Sequence, residues 1–115
     1  LGALFSSLRA LAKDLGFAIV EIYRLDADTS SPLYGRIDHT RCLMGHSMGG
    51  GSAFVAASLQ DDITAIAVLA PFETKPSAVE AASSVGIPSV IFAGENDCIT
   101  PPDNHQLPIS NSSAS

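Results

Sequence analysis

Gly45-His46-Ser47-Met48-Gly49 sets a serine between two glycines in the Gly-x-Ser-x-Gly spacing of a nucleophile elbow. A strand-like run, Arg41 to Met44, precedes it, and a run of small residues, Gly50 to Leu59, follows. On such a strand-to-helix turn the serine takes a strained backbone conformation and its hydroxyl stands in the open. Side chains at Gly45 and Gly49 are expected to collide with neighbouring backbone. The helix that follows would aim its positive end and free N–H groups at a developing oxyanion. The plainer reading of the same residues is a glycine-rich turn opening a helix, with Ser47 as a simple N-cap.

A second cluster, Gly94-Glu95-Asn96-Asp97-Cys98-Ile99-Thr100-Pro101-Pro102, follows the apolar run Ser89 to Ala93. Catalytic groups of open α/β sheets gather at the carboxyl ends of parallel strands. A carboxylate there can orient a histidine and stabilise its imidazolium as it takes a serine proton. Ser47 and Asp97 are 97 − 47 = 50 residues apart, a distance that a strand-helix-strand-helix-strand excursion closes in space. The pattern alone leaves Asp97 and Glu95 as alternatives for the acid, beside the plain reading of a solvated acidic turn with an Asx-turn. Asp61, Asp62, Asp103, Glu73 and Glu80 read as surface charges. None of the three histidines fits the base comfortably. The elbow directs His46 away from Ser47, His39 precedes the strand on the wrong side of the sheet, and His105 would have to fold back from a Pro-rich segment.

The elements that must position these groups follow from periodicity. Leu4, Leu8, Leu11, Ala12 and Leu15 predict an amphipathic helix from Ala3 to Leu15, ending at Gly16. Phe17 to Ile22 is rich in β-branched residues and reads first as a strand, although Leu15, Ile19, Ile22 and Leu25 also keep helical spacing. Asp26 to His39 is expected to be a loop. Strands are predicted at Arg41–Met44, Thr64–Leu69 and Ser89–Ala93, with helices at Met48–Leu59 and Ser77–Ser84. Ser77 and Glu80 have the spacing of a capping box. Apolar runs without alternation, separated by helices, indicate an α/β fold with parallel strands covered on both faces. The polar segment 110–115 is expected to be a disordered tail.

The chain has 115 residues, is 46% hydrophobic and carries a net charge of -6, so it can bury a core but offers no basic patch for nucleic acid. No run approaches the length of a transmembrane helix. Arg9, Lys13 and Asp14 argue against a signal peptide at the start. A chain beginning with Leu rather than Met suggests a processed product or a fragment. Cys42 and Cys98 make no disulfide framework or metal motif. Cys42 reads as a small core residue, Cys98 as a partly exposed thiol.

Three stretches together resemble α/β-hydrolases of the dienelactone-hydrolase-like superfamily, which includes bacterial cutinases and other polyester hydrolases as well as esterases similar to platelet-activating-factor acetylhydrolase. They are Ser31-Pro32-Leu33-Tyr34-Gly35-Arg36-Ile37-Asp38, the elbow Gly45 to Gly51, and Val90 to Pro101. The resemblance runs from about Ser31 to Ile109. It implies a partial α/β-hydrolase domain over residues 1–109, a three-layer sandwich with a mostly parallel sheet. It also implies Ser47 as nucleophile, Asp97 as triad acid and the Met48 N–H as one oxyanion donor. The family's histidine follows the acid by some tens of residues, beyond the 115 − 97 = 18 that remain here.

Two functions follow. The first is a serine carboxylic-ester hydrolase, working through an acyl-enzyme without metal or organic cofactor on a small ester, lipid or polyester. The alternative is a catalytically incomplete hydrolase fragment or a non-enzymatic binding remnant that lacks the triad histidine.

Overall fold

A computed structural model describes residues 2–38 and 40–113; His39 lies outside the described residues. The chain opens with a long helix, α1 (Gly2–Ala27), where a helix and then a strand were expected. Leu8, Ala12 and Gly16 are buried one turn apart, and Leu15 and Ile19 pack against the same core. That helical period runs through the β-branched stretch unbroken. Extending a formed helix is cheap beside nucleating a new element, so the packed stripe outweighs β propensity. Gly16 does not end the helix; a Cβ there would meet the Gln60 side chain at 2.8 Å. Among the described residues no helix is long and apolar enough to cross a membrane.

After α1, the loop folds back on Asp26, whose carboxylate accepts the Arg36 and Ile37 N–H groups at 2.8 and 3.0 Å. Arg41 then stacks over the Tyr23 ring, 3.5 Å from its centroid, and pairs with Asp62. This delivers the chain into β1 (Cys42–His46). From there the order is α2 (Met48–Ala57), β2 (Ala65–Leu69), α3 (Ala78–Ser84), β3 (Ser89–Phe92), a 3₁₀ turn (Pro102–Asn104) and α4 (Gln106–Ser112). α4 continues through Ser110–Ser112, the first part of the segment expected to be a disordered tail.

The sheet is all-parallel in the order β1-β2-β3. The row His46, Leu69, Phe92 crosses the carboxyl ends of all three strands. On one face Leu43, Ile66 and Val68 are buried under α2, whose residues Gly50 to Ala57 are all buried. α1 and α3 pack on α2, and α4 on α3. Phe54, Ile66, Val68 and Ile109 are the largest apolar side chains fully buried in this core. The opposite face carries Cys42, Met44, His46, Leu69, Val90 and Phe92, all exposed. Met44 is 68% and Phe92 60% accessible. The described residues thus supply the sheet and one helical layer of the sandwich, and the expected cover on both faces is present on one. Cys42, expected in the core, lies on the open face because strand alternation places it there with Met44. Both cysteines are free and exposed.

Candidate active site

Ser47 is the residue between β1 and α2, and its backbone sits at φ 54, ψ −120. A non-glycine residue in this region costs about 1–3 kcal/mol and persists only where its surroundings enforce it. Here they do. The Ser47 N–H donates to the Leu69 carbonyl at 3.0 Å, and the Ser47 carbonyl accepts N–H groups from Gly50, Gly51 and Phe72 at 3.0, 3.2 and 2.9 Å. Ser47 is the N-cap residue of α2 by position, yet its side chain makes no capping hydrogen bond. The simple-cap reading therefore fails, and the hydroxyl is left uncommitted to the helix.

The glycines divide unevenly around this turn. A Cβ at Gly45 would overlap the Gly49 carbonyl, and one at Gly51 would overlap the Phe72 carbonyl. A Cβ at Gly49 would meet nothing within 4 Å. The expected collision thus holds for Gly45 and not for Gly49, which faces open space. Tight approach is needed where α2 backs onto β1 and onto the chain leaving β2. The Met48 N–H is the first amide of α2, where no carbonyl of the helix can reach it.

Asp97 lies in the loop after β3, at the same end of the sheet as Ser47 and separated from it by β2. At about 4.8 Å per strand, β1 and β3 run on the order of 10 Å apart. The Asp97 carboxylate accepts the Ile99 N–H at 2.9 Å, the Thr100 N–H at 2.8 Å and the Thr100 hydroxyl at 2.5 Å. The Thr100 hydroxyl chiefly, with the two N–H groups, holds the carboxyl below its ordinary value; partial burial opposes this and the nearby His46 adds a little to it. Glu95, the alternative acid, is exposed.

The two described histidines sit in different surroundings. His46 ends β1 on the open face and is exposed. His105 stacks on Phe72, ring centroids 4.5 Å apart and planes 26° apart, while its Nδ1 accepts the Glu73 N–H at 3.1 Å. Its ring thus fastens the start of α4 to the chain leaving β2. Glu73, read from sequence as a surface charge, accepts the Ser77 hydroxyl at 2.5 Å and the Val79 N–H at 3.0 Å. Ser77 Oγ in turn accepts the Glu80 N–H, so the serine half of the expected capping box forms while Glu73 supplies a carboxylate from before the helix. A glutamate four residues ahead of an N-cap serine was the available signal.

Cavities of about 460 Å³, between α1, α2 and α3, and about 540 Å³, beside Gly86 to Ile91, are lined by neither Ser47 nor Asp97. Both residues stand at the open carboxyl edge of the sheet. A family model described as PET hydrolase-like matches residues 9–115, nearly the whole chain. The chain belongs to the PET hydrolase-like family.

Cutinase 2 of Thermobifida cellulosilytica is 38% identical over 86 residues, covering 74% of this chain and 31% of the relative. Cutinase cut1 of Thermobifida fusca is 38% identical over 86 residues, covering 74% and 26%. A bis(hydroxyethyl) terephthalate hydrolase of Streptomyces coelicolor is 35% identical over 79 residues, covering 68% and 24%. The chain thus spans about a quarter to a third of the length of these relatives. Its three parallel strands with interleaved helices fit part of an α/β-hydrolase fold.

Proposed function

We propose that this chain carries the nucleophile and acid of a serine carboxylic-ester hydrolase that acts on polyester or cutin-like esters. The observation that carries the reading is the Ser47 backbone at φ 54, held by four hydrogen bonds while its hydroxyl caps nothing. Ser47 Oγ attacks the ester carbonyl carbon and gives its proton to a histidine base. The carbonyl oxygen becomes an oxyanion beside the Met48 N–H at the positive end of α2. Collapse expels the alcohol with the proton returned from the base, and leaves an acyl-enzyme that water hydrolyses. Asp97 stabilises the imidazolium and fixes its tautomer. The named activities of the relatives, cutinase and bis(hydroxyethyl) terephthalate hydrolase, support the ester class.

The second reading, a catalytically incomplete fragment or binding remnant, is favoured by one observation. His105 spends its Nδ1 on the Glu73 N–H, and the hydrogen bonds to Asp97 come from its own loop. A fluorophosphonate probe separates the two. Covalent labelling of the folded chain at Ser47, lost in Ser47→Ala, is expected of the hydrolase. A folded chain that stays unlabelled supports the remnant.

A further inference from the structure

In the acid loop, Thr100 is buried, 1% exposed, while most of its neighbours are open to water. An ionised carboxylate offers about four lone-pair positions on its two oxygens. On Asp97, Oδ1 fills both of its positions with the Ile99 and Thr100 N–H groups. Oδ2 fills one with the Thr100 hydroxyl, at 2.5 Å. One position on Oδ2 is left over. Those two N–H groups hold the carboxylate through Oδ1 alone. The Thr100 hydroxyl holds the second oxygen, and among the described residues it is the side chain that does so; the two N–H groups belong to the backbone.

We propose that Thr100 is a positioning residue for Asp97, its buried hydroxyl fixing the carboxylate so that Oδ2 presents its remaining lone pair to the N–H of a catalytic imidazole. This rests on Asp97 being the acid of the hydrolase. The hydroxyl also favours the ionised carboxylate, the form that stabilises an imidazolium, and it is the largest of the influences that lower the Asp97 carboxyl.

Thr100→Val keeps the shape and removes the donor, Thr100→Ala removes it without risk of a polar or bulky misfit, and Thr100→Ser restores it. The titration of the Asp97 side-chain carbon, followed by NMR on the whole chain, should move to higher pH in the Val and Ala variants and return toward the parent in Ser. Turnover of p-nitrophenyl butyrate should lose at least about tenfold in kcat with KM little changed in Val and Ala, the loss expected for a hydrogen bond to a charged group, and recover in Ser. An unmoved Asp97 titration in both Val and Ala overturns the inference. So does full kcat in Thr100→Val when Asp97→Asn has lost it. Full kcat in Asp97→Asn overturns instead the role of Asp97, while the titration still decides whether Thr100 holds the carboxylate.

Discussion

The Phe72 N–H donates to the Ser47 carbonyl at 2.9 Å, tying the elbow to the chain that leaves β2. The carbonyl of the same Phe72 fills the space where a Cβ on Gly51 would lie. One peptide segment therefore presses on α2 and holds the strained serine at once. Ala70, at φ 42, makes the sharp bend that brings it there, and its N–H donates to the Phe92 carbonyl at 2.7 Å.

Gly51→Ala should destabilise the chain by about 1–3 kcal/mol, since backbone meets side chain and neither can move aside. Gly49→Ala should be neutral or stabilise by up to about 1 kcal/mol, because its site is open and helical. Urea midpoints of the two variants check this directly. Equal losses would mean that the elbow does not press on Phe72.

Ser47→Ala should stay within about 0.5 kcal/mol of the parent in the same assay, whereas losing a capping serine costs about 1 kcal/mol. Ser47→Gly should gain roughly 1 kcal/mol as the positive φ ceases to be strained, less the backbone freedom that glycine brings to the unfolded chain. A large loss in Ser47→Ala would restore the capping reading.

The central strands, α2 and the elbow were legible because their signals are local. Small residues from Gly50 to Ala57 mark a helix buried all round, and the apolar runs at Ala65–Leu69 and Ser89–Phe92 admit no other periodicity. Residues 17–22 were misread as a strand because β propensity is weak beside a helical stripe that continues from Leu8 to Ile19. Which Gly-x-Ser-x-Gly glycine is sterically required depends on what lies across the turn, and Phe72 is 72 − 51 = 21 residues beyond Gly51. The Asx-turn weighed as the plain reading of Asp97 does form, with the Ile99 N–H on Oδ1 of the carboxylate. The part played by Glu73 was only faintly legible, from its place four residues ahead of the N-cap Ser77, since a charged residue on a loop takes its role from the neighbours that fold around it.

The open sheet face should make the isolated chain associate. Met44, Leu69, Val90 and Phe92 lie together on it, and β1 and β3 are both unpaired edges in this three-stranded sheet. Light scattering during size exclusion should show species larger than the monomer. The double variant Val90→Lys with Phe92→Lys should shift them toward monomer, with the urea midpoint little changed because both side chains are exposed. Monomeric parent protein at all concentrations would show that this face does not mediate association.

Acid should act on the chain partly through Asp97. Its carboxyl titrates below the ordinary 3.8 in the folded protein, chiefly because the Thr100 hydroxyl and two backbone N–H groups bind the ionised form. The unfolded chain then takes up this proton first as pH falls. The stabilising contribution is thus complete above the unfolded value and disappears as pH drops through the folded one. Asp97→Asn keeps an oxygen for the two N–H groups but presents an amide nitrogen or the same oxygen alone to Thr100, and it does not titrate. Glu21 and Asp28 are also lowered, by Arg24 and by Ser30 respectively, but they remain in both proteins and cancel in the difference. Urea midpoints of parent and Asp97→Asn should therefore differ most near about pH 7, and the gap should narrow as pH falls through and below the ordinary 3.8. A gap that stays constant over that range would mean that the loop after β3 gains nothing from the Asp97 charge.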